Sequence, residues 1–323
     1  MPRSSDRPSF AEVNKENPVL VIGAAGIDIV GQLKGELNPE TSCPAQIRTS
    51  FGGVARNVAE NLARLGHPVH LISVVGSDHA GDRIIQQAED AGINVQLVVR
   101  NSEFPTGAYL GIVNMDGELI FALDDMRIID TLSVDTIKQN SALFGDVSLV
   151  FVDTNLSKDV LRTIITLARR ANIPICADPT STALADKLAV HLPKLALISP
   201  NASEAGVLTG HPFNPANRGE ALEVAKILVS KGVEIAIVTL GKYGLCYATS
   251  ETSGYIPTFH TKVLDPTGAG DALSATVIFA LLNDIPLDDA VRLGVSAACL
   301  TLSYPGAVLS DLSLEKLYDQ LVI

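Results

Sequence analysis

The stretch Asp265-Pro-Thr-Gly-Ala-Gly-Asp-Ala272 decides how this chain is read. It runs into residues 273–282, Leu-Ser-Ala-Thr-Val-Ile-Phe-Ala-Leu-Leu, long and apolar enough for a buried helix that ends near Asn283 and Pro286. The helix therefore begins between Gly268 and Asp271. Glycines there let the backbone approach a ligand, and the unpaired N–H groups of a first turn, with the helix dipole, favour an anion. A carboxylate in that turn, Asp271, has two readings: it caps the helix, as many aspartates do, or it is a base set beside an anion site.

Outward from this stretch, β-branched runs at 69–75, 149–152, 173–177, 195–198 and 234–239 alternate with amphipathic segments from Val19 onward. This is the βαβ pattern of an α/β fold with a buried, mainly parallel sheet. Such sheets bind ligands at the C-terminal ends of their strands, where Asp28, Asn155, Asn201 and Gly241 are expected. Two regions, 29–51 and 106–122, break the alternation, and the second reads as a hairpin turning at Asn114-Met-Asp-Gly117. Gly23-Ala-Ala-Gly26 looks like half of a dinucleotide fingerprint, but the third glycine and the following helix are missing. Gly52-Gly53 lets the backbone come close to a ligand, and Asn57, one turn into the next helix, offers a donor and an acceptor. Asn201 and Glu204, three apart at a helix start, share a face and also have capping-box spacing. Thr239, Gly241 and Gly244 open a glycine-punctuated turn after a strand, and no G-x-x-x-x-G-K-[ST] loop occurs.

These motifs, in this order, resemble the ribokinase-like (PfkB-type) carbohydrate kinases, whose C-terminal signature has the form D-x-x-G-A-G-D. The resemblance covers nearly the whole chain: Gly23-Ala-Ala-Gly-Ile-Asp28, Gly52-Gly-Val-Ala-Arg-Asn57, Asn201-Ala-Ser-Glu204 and Thr239-Leu-Gly-Lys-Tyr-Gly244 all precede the signature as they do in the family. Within it, the run from Gly52 to Gly66, Asp153-Thr-Asn-Leu-Ser157 and Leu123-Asp-Asp-Met126 are most similar to pseudouridine kinases. The fold implied is a three-layer sandwich with a mainly parallel central sheet and a small β lid. The kinase domain would span 18–323 after a disordered lead-in over 1–17, with lid strands from about 29–51 and 106–122 that often serve as a dimer surface.

The resemblance also implies roles. Asp271 would be the catalytic base, and the amides of Gly268, Ala269, Gly270 and Asp271 the anion hole for the transferred phosphoryl group. An aspartate at its reference pKa of ~4 is a weak base toward an alcohol, so it would act mainly by orienting the hydroxyl. Asp28, Gly53 and Asn57 would hold the sugar, Asp28 by accepting from adjacent hydroxyls unless it merely caps a turn. Asn201 and Glu204 would order Mg2+ and the ATP phosphates through water, and Thr239, Gly241 and Gly244 would meet the nucleotide. Asp265, Thr267, Gly306 and Ser310 match a site for K+ or another monovalent cation, and Arg56 is expected at the surface or against the lid.

Pseudouridine has one more ring N–H than uridine, and a buried acceptor would reward it. Asn155, Asp125, Thr106 and Tyr109 are the candidates. Ribokinases carry a Glu where this chain has Asn155, and they and the pseudouridine kinases tend to have an Asn where it has Gly26. The expected activity is ATP-dependent 5′-phosphorylation of pseudouridine. The alternatives are a kinase for another nucleoside or sugar (ribose, adenosine, inosine) and a catalytically silent binding protein of the same fold.

Composition narrows the class. With 24 basic and 36 acidic residues among 323, net −12, and no Lys/Arg cluster interleaved with aromatics, a nucleic-acid surface is not expected. Four scattered cysteines and six scattered histidines form no zinc or disulfide pattern. No apolar run reaches the ~18 residues of a membrane span, and residues 2–18 lack a signal peptide's apolar core, so a small-molecule enzyme of the cytoplasm is expected.

Overall fold

The computed structural model describes residues 8–322 except 11, 118 and 260. Its strands are β1 (Val19–Ile22), β2 (Gly26–Leu33), β3 (Ala45–Gly52), β4 (Val69–Gly76), β5 (Asn94–Asn101), β6 (Gly107–Val113), β7 (Leu119–Asp125), β8 (Leu149–Asp153), β9 (Ile175–Asp178), β10 (Leu197–Ile198), β11 (Ile235–Thr239), β12 (Leu245–Ala248) and β13 (Ser253–Ile256). The α-helices are α1 (Val54–Arg64), α2 (His79–Asp90), α3 (Val134–Gln139), α4 (Lys158–Arg170), α5 (Ala202–Thr209), α6 (Arg218–Ser230), α7 (Ala269–Leu282), α8 (Leu287–Leu302) and α9 (Leu314–Val322).

Nine strands form one sheet in the order β13-β12-β11-β10-β9-β8-β1-β4-β5. It is parallel from β5 to β11, and β12 and β13 add antiparallel at one edge. Its central strands are mostly apolar, and β1 is apolar at every position, because both faces are covered. Val19 and Val21 point into the core beneath α1, α7, α8 and α9, while Leu20 and Ile22 point into the core beneath α4, α5 and α6. Helix α7 has apolar residues all round and is correspondingly enclosed, packing on α1 and α8. The expected sandwich with a mainly parallel sheet is therefore present.

The two regions that broke the alternation form a separate four-stranded sheet, β3-β2-β6-β7. The β6–β7 turn uses the expected chemistry: Gly117 has φ 82° and donates to the Asn114 carbonyl at 3.1 Å. This lid starts earlier than expected, at Gly26, so Asp28 belongs to lid strand β2 rather than to the end of a central strand. The central strand stops at Ile22 because the next residues bend to carry the chain into the other sheet. The lead-in also needs correction where it is described: Phe10 is buried in the hydrophobic core that includes Ala55, Val58 and Leu62 of α1. Residues 1–7 and 11 of that segment lie outside the described residues.

Phe151 of β8 is wholly buried between sheet and helices. Phe151→Ala is expected to cost about 3–5 kcal/mol of stability, read from the urea midpoint at unchanged slope.

Candidate active site

Helices α2, α3, α4, α5 and α6 are each capped by a side chain, namely Asp78, Ser133, Ser157, Asn201 and Asn217. Helix α7 is not. Its N-terminal residue Gly268 takes φ 74°, and a Cβ there would run into the Ala307 carbonyl, so only glycine fits. The first-turn amides are thereby left free of side-chain acceptors. Asp271, in the same turn and only 8 % exposed, does not cap the helix. Its Oδ2 accepts a hydrogen bond from Asn57 Nδ2 of α1 at 2.7 Å.

The start of α7 separates two cavities. One, of ≈ 310 Å³, is lined by Asp28, Gly53, Asn57, Tyr109, Asn155, Gly268 and Asp271. The other, of ≈ 230 Å³, is lined by Thr239, Gly241 and Gly244 together with Ala269 and Gly270. Residues expected to meet the sugar thus lie on one side of the helix start, and those expected to meet the nucleotide lie on the other.

The first cavity is rich in carboxylates. Burial pushes Asp271 up to about 7; Asp28 and Asp153 add to the rise, while the Asn57 hydrogen bond and Arg56 oppose it. Asp28 also rises to about 7 through burial, against the pull of Arg56 and with a push from Asp265. The ordinary aspartate expected from sequence is therefore corrected: the enclosed site holds the Asp271 carboxyl near neutrality. Asp153, at the end of β8, accepts from the amides of Ala24 (2.8 Å), Ala55 (3.1 Å) and Asn155 (2.9 Å) and from Asn155 Nδ2 (3.1 Å). Burial nevertheless raises its affinity for a proton. One carboxylate so ties the turn after β1, the start of α1 and the turn after β8 together.

On the other side, Asn201 and Glu204 form a full capping box, with Asn201 Oδ1 accepting from Glu204 N (3.0 Å) and Glu204 Oε2 from Asn201 N (2.8 Å). Burial raises Glu204, and burial with the neighbouring charges of Glu204 and Asp271 raises Asp178 of β9 well above its usual range. Two enclosed carboxylates that repel each other's charge fit a hydrated Mg2+. Among the described residues no group of His, Cys, Asp and Glu side chains is close enough to ligate a metal directly.

Several expected residues lie elsewhere. Thr106 is tied to Asp78 by its hydroxyl (2.6 Å) and its amide (2.8 Å), because Asp78 has to be fixed to cap α2; it does not line the cavity. Asp125 is paired with Arg127 through Nε (2.8 Å) and Nη2 (2.6 Å) and faces an adjoining cavity. Its neighbour Asp124 lines that adjoining cavity and the ≈ 310 Å³ one as well, which Asp125 does not reach. The Ser310 carbonyl accepts from Arg64 and its hydroxyl from Tyr304, and Asp265 Oδ1 accepts from Thr267 N and Oγ1 at 3.0 and 2.6 Å. Arg56 is not at the surface: it is 2 % exposed and pairs with Glu60. Thr180, which lines the cavity with φ 62°, carried no sequence signal, since a β-branched residue is not expected in left-handed backbone.

The fold and this site define a kinase that phosphorylates an alcohol group. The model of the pfkB family of carbohydrate kinases matches residues 17–313, and the chain belongs to that family, whose members use ATP with Mg2+. It is similar to the pseudouridine kinase of Escherichia coli K12, 30 % identical over 94 % of this chain and 96 % of that one. It is also similar to the guanosine-inosine kinase of Exiguobacterium acetylicum, 28 % identical over 87 % of this chain and 93 % of that one. The ribokinase of Arabidopsis thaliana complexed with ribose and ATP has the same fold, with a TM-score of 0.80 at 20 % identity over 95 % and 99 % of the two chains. Among the described residues no helix is long and apolar enough to cross a membrane.

The acid–base expectation has a definite sign. Asp271 must be ionised to accept a proton, so kcat/KM should fall about tenfold per pH unit below about 7 and level off above it. Asp28→Asn removes a like charge that raises Asp271, so the acid limb of its residual activity should move to lower pH. Both groups hold protons more tightly folded than unfolded (3.8), so the protein should lose stability as pH rises from about 4 to about 7.

Proposed function

We propose that this kinase transfers the γ-phosphoryl group of ATP to the 5′-hydroxyl of pseudouridine. The observation that carries the reading is the ≈ 310 Å³ cavity, which runs from Asp28, Asn57 and Asp271 to Asn155, Thr180 and Ser181 and so has room for a base beyond a ribose. Asn155 supports the choice of base. One N–H of its side-chain amide is taken by Asp153, and its carbonyl oxygen is an acceptor suited to the extra ring N–H of pseudouridine. The likeness to the Escherichia coli pseudouridine kinase supports the same reading. The similar level of identity to a guanosine-inosine kinase makes another nucleoside the second reading.

In the reaction, Asp28 accepts from the ribose hydroxyls and Asn57 holds Asp271 in place. Asp271 orients the 5′-hydroxyl and takes its proton as the bond to phosphorus forms. The first-turn amides of Gly268, Ala269, Gly270 and Asp271 receive the charge that spreads over the phosphoryl oxygens. Asn201, Thr239, Gly241 and Gly244 position the nucleotide, and Glu204 with Asp178 orders the magnesium shell through water. Magnesium neutralises phosphate charge during transfer. A monovalent cation beside Asp265 and Thr267 belongs to the same proposal.

The test is 5′-phosphate formation from magnesium-ATP with pseudouridine, uridine, inosine, adenosine or ribose, each with and without potassium. Pseudouridine should give the highest kcat/KM, potassium should raise it, and Asp271→Asn should lower kcat about 10²–10⁴-fold. Faster turnover of another acceptor would replace the substrate assignment.

We also infer that the lid mediates a homodimer. Ile47 of β3 and Phe121 and Leu123 of β7 are exposed on it, at 69, 43 and 62 %. Sedimentation velocity should find a dimer, and Phe121→Glu with Leu123→Glu should return monomers. Monomeric wild-type protein at micromolar concentration would remove the inference.

A further inference from the structure

The cation buried beside the site is one that the reaction as described does not use. Arg56, the third residue of α1, is 2 % exposed, and Glu60 one turn later is equally buried. Its guanidinium pairs with Glu60 and donates to Gln87 Oε1 (2.8 Å) and to the Phe51 carbonyl at the end of the lid (2.9 Å). It also donates through Nη1 to Asn57 Oδ1 at 2.6 Å. Glu60 is held in turn by Gln87 Nε2 (2.7 Å) and Arg64 Nε (2.8 Å).

This leaves Asn57 between a guanidinium, which only donates, and the Asp271 carboxylate, which only accepts. The amide has one workable orientation. Turned over, it would set its NH2 against the guanidinium and its oxygen against the carboxylate, losing two buried hydrogen bonds and creating two repulsions. We propose that Arg56 is a positioning residue for phosphoryl transfer: it locks the Asn57 amide so that Nδ2 always holds Asp271 Oδ2 and Oδ1 is left for the acceptor hydroxyl. The proposal rests on Asp271 acting as the base. It accounts for a buried arginine whose charge is already matched by Glu60, since a pair kept for stability alone is replaceable by apolar residues.

The charges that face Asp271 are Asp28 from the lid, Asp153 and Asp178 from the strand ends, and Arg56 from α1. Arg56 is the cation among them, and it opposes protonation of Asp271.

The experiment compares wild type, Arg56→Lys and the charge-balanced pair Arg56→Met with Glu60→Gln, using the best acceptor from the substrate panel and Asp271→Asn as control. Folding is checked by circular dichroism and urea unfolding. The double variant should lose about 10–100-fold in kcat with KM for ATP unchanged, and its acid limb should shift to higher pH. Arg56→Lys keeps the charge but not the fork, so it should lose less in kcat and keep its limb near that of wild type. If either folded variant keeps wild-type kcat, or the double variant keeps the wild-type limb, Arg56 serves packing alone and the proposal falls. If the double variant does not fold, kcat of Arg56→Lys decides. Turnover that survives Asp271→Asn would defeat the base assignment instead, a separate result.

Discussion

The hydrogen bond from Asn57 to Asp271 joins the two helices whose first turns face the acceptor cavity. Helix α1 follows the lid strand that ends at Gly52 and α7 starts at Gly268, so this 2.7 Å contact sets the distance between the two helix starts. A bond at this depth is either made well or costs its full desolvation. The surroundings leave it no freedom: Asp153 fixes the start of α1 to the end of β8, and α7 is closed in by α1 and α8. The two sheets and both helices meet around one carboxylate, and the geometry of transfer follows from that junction.

Electrostatics explains why an acidic chain suits this task. Asp28, Asp153, Asp178, Glu204 and Asp271 are all buried within or beneath the site, and burial raises the proton affinity of each. The acceptor is uncharged and presents hydroxyls, so carboxylates bind it without charge repulsion. In the proposed reaction the phosphates meet a different surface, the amides and dipole at the start of α7, with magnesium to screen them. Net charge of −12 is thus no obstacle, because the positive potential is local and made of backbone.

The fold was legible because β1, β8 and β11 carry unbroken apolar runs, β4 a nearly unbroken one, and the lid regions interrupt the alternation. Asp271, Asn57 and Gly268 were legible because glycine next to a chemically active residue at a helix start has few other uses. Strand parity and partner choice were less readable. Asp124 and Asp125 differ only in which face of β7 they occupy, and Thr106 answers to Asp78, twenty-eight positions earlier in the chain. Arg56 was expected at the surface or against the lid; it does meet the lid, at the Phe51 carbonyl, but it is buried there, paired with Glu60 on the same helix face. Only the packing of the lid and Gln87 over that face turns it inward.

Gly26 is the departure from related kinases with a structural cause. It pairs with Gly107 across β2 and β6, and a Cβ at position 26 would stand 2.6 Å from the Gly107 carbonyl and 3.1 Å from Met126 Cε. The place is therefore filled, and no water-sized gap replaces the asparagine of those relatives. Met126 reaches into the acceptor cavity, so a wall that asparagine would make polar is apolar in this chain. The polar lining lies instead at Asp28, Asn57, Asn155, Thr180 and Ser181. On the proposed reading, such a lining offers more to an acceptor that extends past Met126 to the turn after β8 than to a bare ribose.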